Sequence, residues 1–446
     1  MAERVLDHVE YDRFLDCVHC GLCTSACPTY LETGDENNSP RGRIYLMRAV
    51  ADGKLPLSDT VQRHLDLCLD CRSCETACPS GVQYGRLIEP FRAATQEQAS
   101  LAGQDVTRSW FHRGILYGLF PYPNRMKWAL APARWAQRLG LDRLAETLGL
   151  FSLFPKKLRR MQRLLPPLPR PERALPVVLS AQGTKRARVG LFTGCVAEAV
   201  FSPTNRATAR VLQANGCEVV VPPTQVCCGP IHDHSGTAEQ ALKFALQNVA
   251  AFPVDDLDAI IVNVAGCGSM LKEYTHIAEE LCRENPQQQT ALRALAGKMR
   301  DVSEFLMELG PVQPTGSLPL KATYHDACHL VHAQRIREQP RDLLELIPDL
   351  KLVALAESDI CCCTAGSYNL TEADMADRLA QRKLDNILAS GAQVVLSANA
   401  GCTLQIQAAI RKSGKPLWTV HPIELLDLSY RNEPPPEFLR VQPTTN

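Results

Sequence analysis

Between residues 186 and 446, short apolar runs alternate with longer stretches in which apolar positions recur every three or four residues. The runs "RVGLF", "CEVVV", "DAIIV", "KATYH", "LKLVAL" and "AQVVLS" are short and rich in β-branched residues, and predict buried strands. Between them, "NRATARVLQANG", "AEQALKFALQNVAAF", "PRDLLELI" and "DMADRLAQRKLDNILASG" carry the helical period. Strands alternating with helices predict an α/β half. Nearer the start, "SPRGRIYLMRAV" predicts a helix with Ser39 as N-cap and Pro40 in the first turn, and "DTVQRHLDLC" predicts a second. No run of 18 or more apolar residues occurs, so no membrane span is predicted.

The α/β half repeats itself. Each copy reads strand, Cys, helix, strand, Cys-Cys, helix, strand, Cys. Between Cys195 and Cys227 lie 31 residues, and between Cys328 and Cys361 lie 32; between Cys228 and Cys267 lie 38, and between Cys362 and Cys402 lie 39. An internal duplication accounts for these spacings. The run Cys361-Cys362-Cys363 is therefore a repeated pair plus one, with Cys363 in the place of Gly229. Ligands of open α/β sheets collect beyond the carboxyl ends of the strands, where all the repeated cysteines fall, so four thiols of each copy can converge. Two readings remain open for each set: a metal or iron-sulfur site, or a buried thiol framework without metal.

Residues 1–95 hold eight of the 19 cysteines in two runs, "CVHCGLCTSACP" and "CLDCRSCETACP". Each is a C-x2-C-x2-C-x3-C-P motif of the bacterial ferredoxin type, in which three closely spaced thiolates hold one cubane and the fourth reaches the other cluster. The expected ligand sets are Cys17, Cys20, Cys23 and Cys78 for one [4Fe-4S] cluster, and Cys68, Cys71, Cys74 and Cys27 for a second. Paired Cys-x-x-Cys also serves zinc, but a triple cadence with a trailing proline, twice over, favours iron-sulfur. The 40 residues between the motifs predict a mainly helical domain. Arg41 and Arg43 are expected on a solvated helix start, the alternative being that they face a partner or a cluster's charge.

The chain of 446 residues balances 48 basic against 48 acidic residues, which argues against nucleic acid binding. Residues 101–170 nevertheless carry 13 Lys and Arg against Asp105, Asp142 and Glu146. This basic segment contains Trp110, Phe111, Tyr117, Phe120, Tyr122, Trp128 and Trp135. It is expected to connect domains, and could rest on an anionic membrane surface. The proline cluster from Pro166 to Pro176 reads as a linker. The charged N-terminal stretch "MAERVLDHVEYDRF" has no secretory pattern, so a cytoplasmic setting is expected, peripheral on the inner face of the membrane if the basic segment touches lipid. No G-x-G-x-x-G or Walker loop occurs, so a flavin is expected on another subunit.

The stretches "VHCGLCTSACPTYLETGDENNSPRGRIYLMRAV" and "HLDLCLDCRSCETACPSGVQYGRLIE", followed by two repeats with a Cys-Cys-Gly core, resemble the iron-sulfur subunits of bacterial glycolate oxidase (glycolate dehydrogenase). The resemblance implies a complex with FAD-bearing dehydrogenase subunits that oxidise glycolate to glyoxylate, this chain passing electrons to a membrane quinone or similar acceptor and holding no catalytic acid or base. The repeats alone are similar to those of heterodisulfide reductases, of anaerobic glycerol-3-phosphate dehydrogenase and of lactate-utilisation proteins. The rival implications are therefore an iron-sulfur subunit for glycerol-3-phosphate or D-lactate, or a thiol/disulfide reductase. Where the heterodisulfide reductase repeat ends in Cys-x-x-Cys, this chain has Met270 and Gln405, so each copy keeps four cysteines.

The expected architecture is an α+β multidomain chain. A helical two-cluster ferredoxin-like domain (1–95) leads through a basic aromatic connector and linker (96–185) to two pseudo-repeated cysteine-rich α/β domains (186–310 and 311–446). Cys217 and Cys282 are expected to be small buried hydrophobes, at a strand start and within a helix. His232, His234, His325, His329 and His332 are expected on turns or helix faces, the alternative being that one of them replaces a thiolate at a cluster or moves protons in quinone or substrate chemistry.

Overall fold

A computed structural model describes residues 9–101, 110–233, 237–364 and 366–436; His234 lies outside them. The chain is largely helical, with two small sheets. The N-terminal helices include Pro28–Thr33, Pro40–Ala51, Asp59–Asp66 and Gly85–Leu101. As expected, Ser39 caps the second of these, its Oγ accepting from the Gly42 N–H at 3.0 Å. Phe14, Met47, Leu65, Leu87, Ile88 and Phe91 form the core under the cysteine loops.

The first sheet contains β1 (Val178–Leu179), β2 (Ala187–Phe192), β3 (Cys217–Val220), β4 (Ala259–Val262) and β5 (Met299–Asp301), in the order β1-β3-β2-β4-β5. Only β1 is antiparallel. The second sheet contains β6 (Lys321–His325), β7 (Lys351–Val353), β8 (Val394–Ser397) and β9 (Trp418–Val420), all parallel, in the order β7-β6-β8-β9. Matching β2, β3, β4 and β5 to β6, β7, β8 and β9 superposes the two orders, so the duplication read from the cysteine spacing is also one of topology. β5 and β9 have three residues each, too few to announce themselves by periodicity.

One apolar core joins the copies. Val189 and Leu191 of β2, Val394 and Leu396 of β8, and Leu212 and Leu425 of the intervening helices belong to a single buried cluster. Arg210 pairs bidentately with Asp427 at 2.9 and 2.7 Å across this seam, a geometry that fixes both planar groups. His421 Nε2 lies 2.9 Å from the Asn263 carbonyl, and the Ala265 N–H donates to Ala398 at 3.0 Å.

The connector divides its aromatics. Phe111 is buried, packed near Leu370, and Tyr117 and Phe120 are half-buried around it. Trp128 and Trp135 stay 81% and 65% exposed. The proline segment forms neither helix nor strand, yet Arg134 donates to the Pro169 carbonyl at 3.1 Å and Gln137 to that of Pro166 at 3.0 Å. It is a strap pinned at both carbonyls rather than a free tether. Cys217 opens β3 and is fully buried; Cys282 is buried too, but it closes the helix Tyr274–Leu281 instead of lying within it.

Candidate electron-transfer centres

The two N-terminal cysteine loops share one backbone design. In the first, His19 and Gly21 take φ of 54° and 86°; in the second, Asp70 and Arg72, at the same offsets from the leading cysteine, take 51° and 60°. Two left-handed residues per loop coil the chain tightly and turn successive thiols inward. Glycine at position 21 also leaves room for Arg41, whose Nη1 donates to the His19 carbonyl at 3.2 Å and would have to shift for a Cβ at residue 21. Arg72 accepts the unfavourable φ because its buried guanidinium is held by Asp70, Glu75 and Glu89 at 2.8, 3.1 and 2.7 Å.

Cys27 lines one cavity with Cys68, Cys71 and Cys74, alongside Arg43 and Tyr84. Cys17 lies beside Cys78 and Cys20, and Cys23 beside Cys17. The first loop's fourth cysteine thus meets the second loop's first three, and the second loop's fourth, Cys78, meets Cys17 of the first. Burial pushes the Cys23 thiol up to about 11 and those of Cys71 and Cys74 well above the ordinary thiol range. Converging buried thiols of this kind become thiolates when a cation supplies the missing charge, so the donor set suits a metal cluster.

Arg43 overturns the expectation of a solvated cation. It is 1% exposed, donates to the His64 carbonyl at 2.7 Å and to Thr29 Oγ1 at 3.0 Å, and reaches Cys27 Sγ at 3.9 Å. Polarity misled the expectation, because helix position alone does not tell which face the first cysteine loop and the helix ending near His64 cover. Arg41 stays on the surface, paired with Glu36 at 2.6 Å.

In the first repeat, Cys195 Sγ and Cys227 Sγ lie 3.5 Å apart, and Cys228 contacts both Cys227 and Cys267. Hydrogen bonds from Cys195 and Cys228 hold the Cys227 thiol well below its usual range, while Cys195 is pushed well above it, chiefly by its bond to Cys227, and Cys228 chiefly by burial. In the second, Cys328 Sγ and Cys361 Sγ lie 3.7 Å apart and Cys362 contacts Cys361 and Cys402. Burial opposes ionisation of Cys362, but hydrogen bonds from Cys361 and Cys402, together with the nearby His325 imidazole, outweigh it and lower its thiol. Both quartets therefore assemble. Met270 is packed in the apolar core, and Gln405 is bound to Asn369 and the Ala376 carbonyl, so both places without a fifth cysteine are structurally filled.

Cys363 takes φ of 73°, matching Gly229 at 103°. Its N–H points at Cys361 Sγ at 3.4 Å, as that of Gly229 points at Cys227 Sγ at 3.4 Å. Its side chain joins Leu69, Cys71, Tyr368 and Met375 in a cluster between the second repeat and the N-terminal domain.

The histidines serve contacts that sequence periodicity does not reveal. His232 stacks on Tyr117 with ring centroids 4.5 Å apart. His329 donates to the Asp70 carbonyl at 3.1 Å, and His332 meets Thr76 Oγ1 at 2.9 Å, so both bridge the second repeat to the second cysteine loop. His325 is fully buried at the end of β6 and faces the thiols, on neither a turn nor a helix face, which favours the alternative reading over the expected one.

Comparison with known proteins agrees with this layout. A 4Fe-4S dicluster domain matches residues 13–82, the linker region of glycolate oxidase iron-sulfur subunits matches 107–165, and a cysteine-rich domain matches 189–272 and again 322–407. The probable glycolate oxidase iron-sulfur subunit of Bacillus subtilis (strain 168) is 38% identical, the alignment covering 92% of this chain and 91% of that one. The chain belongs to the glycolate oxidase iron-sulfur subunit family. The Escherichia coli (strain K12) glycolate oxidase iron-sulfur subunit is 32% identical, over 94% of each chain. Lactate utilization protein A of Exiguobacterium sp. (strain ATCC BAA-1283 / AT1b) is 31% identical over 54% of this chain and 96% of its own. No helix among the described residues of this family member is long and apolar enough to cross a membrane.

Proposed function

We propose that this chain is the iron-sulfur electron-transfer subunit of a flavin-dependent glycolate dehydrogenase complex. Its electrons come from FAD on a partner subunit and leave toward a quinone or similar acceptor. Cys17, Cys20, Cys23 and Cys78 would hold one [4Fe-4S] cluster, and Cys68, Cys71, Cys74 and Cys27 the other. Cys195, Cys227, Cys228 and Cys267, and Cys328, Cys361, Cys362 and Cys402, would hold further metal centres. The functional segments are 1–95, 96–185, 186–310 and 311–446. The observation that carries this reading is the exchange of fourth cysteines, with Cys27 in the cavity of Cys68, Cys71 and Cys74 and Cys78 beside Cys17.

Iron-sulfur clusters accept electrons singly, which suits a relay that divides the pair released by a flavin. The chain's residues set the path and the charge around it. Cys71 lies beside Cys328, with Cys363 in the same packed cluster, so the second N-terminal quartet abuts the second-repeat quartet. Arg63–Glu372 at 2.6 Å and Tyr368 Oη to the Leu67 carbonyl at 3.0 Å hold the two against each other. Arg43 places a positive charge where reduction adds a negative one. Relatives named for glycolate span more than nine-tenths of both chains, against 54% for the lactate relative, which favours glycolate as the substrate of the complex.

Cys71→Ser in the assembled complex tests this. Glycolate should still bleach the flavin, whereas quinone-linked turnover should stop; turnover that persists would overturn the relay. The exposed Trp128, Trp135 and Leu153 on the basic connector favour peripheral contact with an anionic membrane, testable by sedimentation with anionic against zwitterionic vesicles.

A further inference from the structure

The two repeat quartets are matched in sulfur but not in what surrounds the sulfur. Counting back three residues from Cys195 and Cys328 reaches the last residue of β2, Phe192, and of β6, His325. Phe192 is packed on Phe252, with ring centroids 6.3 Å apart, and offers no donor atom. His325 is equally buried but carries two nitrogens. Its Nδ1 lies 3.1 Å from the Ser358 carbonyl, a contact that places the proton on Nδ1 and leaves the Nε2 lone pair available. Nε2 has no hydrogen-bond partner among the described residues, and it is buried. A ring nitrogen of His325 and the Sγ atoms of Cys362 and Cys402 all lie within 4.8 Å of one another.

The polar surroundings follow the same asymmetry. Asn399 Nδ2 donates to Cys402 Sγ at 3.3 Å, and Thr364 Oγ1 lies 3.3 Å from Cys362 Sγ and 3.9 Å from Cys402 Sγ. At the matching offsets from Cys228 and Cys267, the first repeat has Pro230 and Val264, which can donate nothing from their side chains. A histidine anchored through Nδ1 to a backbone carbonyl, with Nε2 turned on thiolates that themselves receive N–H and O–H bonds, has the outer arrangement of a metal ligand.

We infer that His325 Nε2 is a ligand of the metal centre held by Cys328, Cys361, Cys362 and Cys402. The inference rests on the reading that the repeat cysteines bind metal. The second-repeat centre is then mixed thiolate and imidazole, and the first-repeat centre is thiolate alone. The imidazole adds a neutral nitrogen donor to four thiolates, so the two repeat centres differ in donor set and not in ligand charge.

The test uses full-length protein purified without oxygen. Wild type should contain metal beyond the about eight irons of two [4Fe-4S] clusters. Pulsed EPR of protein labelled with 15N-histidine should then show a directly bonded nitrogen coupling that Cys402→Ser removes. Loss of an outer-shell partner costs about 10–100-fold in metal affinity, so His325→Ala should lose at least about tenfold in retention of the extra metal against a chelator, with the other irons kept. Added imidazole should restore it to His325→Ala but not to His325→Phe, which copies the first repeat. Extra metal in wild type with no nitrogen coupling, retained by His325→Ala, would overturn the inference and leave the cysteine reading standing. A wild-type protein with about eight irons and no other metal would overturn both.

Discussion

His329 donates through Nε2 to the carbonyl oxygen of Asp70 at 3.1 Å, joining the residue after Cys328 to the residue before Cys71. A neutral bond of this type contributes about 1 kcal/mol, so its value lies in position rather than strength. His329→Ala should leave the iron content unchanged and slow the passage of electrons from the N-terminal clusters to the second repeat. Stopped-flow reduction of the complex by glycolate, followed at separate EPR signals, measures that step; an unchanged rate would place the path elsewhere.

Arg43 makes a prediction with a definite sign. Its buried guanidinium faces Cys27, with Cys68 and Tyr84 close by. A unit charge at about 7 Å with an effective dielectric near 20 is worth about 2 kcal/mol, on the order of 100 mV. Arg43→Met should therefore lower the potential of the cluster on Cys27, Cys68, Cys71 and Cys74 by that order, and Arg43→Lys should recover most of it. Redox titration by EPR reads both.

Cys363 sits at a position its repeat partner gives to glycine. Removing the side chain relieves about 1–2 kcal/mol of left-handed backbone cost, but also removes a buried thiol packed on Tyr368. Cys363→Gly should thus change stability by no more than about 1 kcal/mol. Cys363→Val, β-branched at the same φ, should cost about 2 kcal/mol. Metal content should be unaffected by Cys363→Gly; a loss would make Cys363 a ligand.

His421 predicts a pH effect at the seam between repeats. Burial pushes its imidazole down to about 4, with the bond to the Asn263 carbonyl opposing. The unfolded chain binds that proton from about pH 6.5 downward, whereas the folded chain resists until about 4, so its stabilising contribution is present above 6.5 and lost as pH falls through this window. The loss amounts to about 3 kcal/mol. Protonation also removes the acceptor that Nδ1 offers the Ile423 N–H at 3.1 Å. Hydrogen exchange at Ile423 should accelerate between pH 6.5 and 4 beyond its intrinsic pH trend, and His421→Gln should abolish that excess.

Much of this was legible in the residues. The ferredoxin cadence needs only local spacing, because three thiols two residues apart wrap one short loop whatever surrounds them. The duplication was legible for a similar reason: Cys195, Cys227 and Cys267 stand at strand ends, and strand and helix lengths repeat. The placement of Arg43, His325 and His329 was not. A buried arginine and a surface arginine read alike, and whether a histidine faces thiols, a carbonyl or solvent depends on which chain segment, from tens to hundreds of residues away, covers it.

By itself, then, the sequence determined which thiols exist and in what rhythm, since covalent spacing limits what a loop can reach. Tertiary structure alone decided that the loop of Cys71 abuts Cys328 and Cys363, and that β6 ends on a histidine turned toward Cys362 and Cys402. The physical reason is burial: these contacts come from apolar faces closing over one another, and the free energy of that closure is spread across the whole chain rather than written at the residues it brings together.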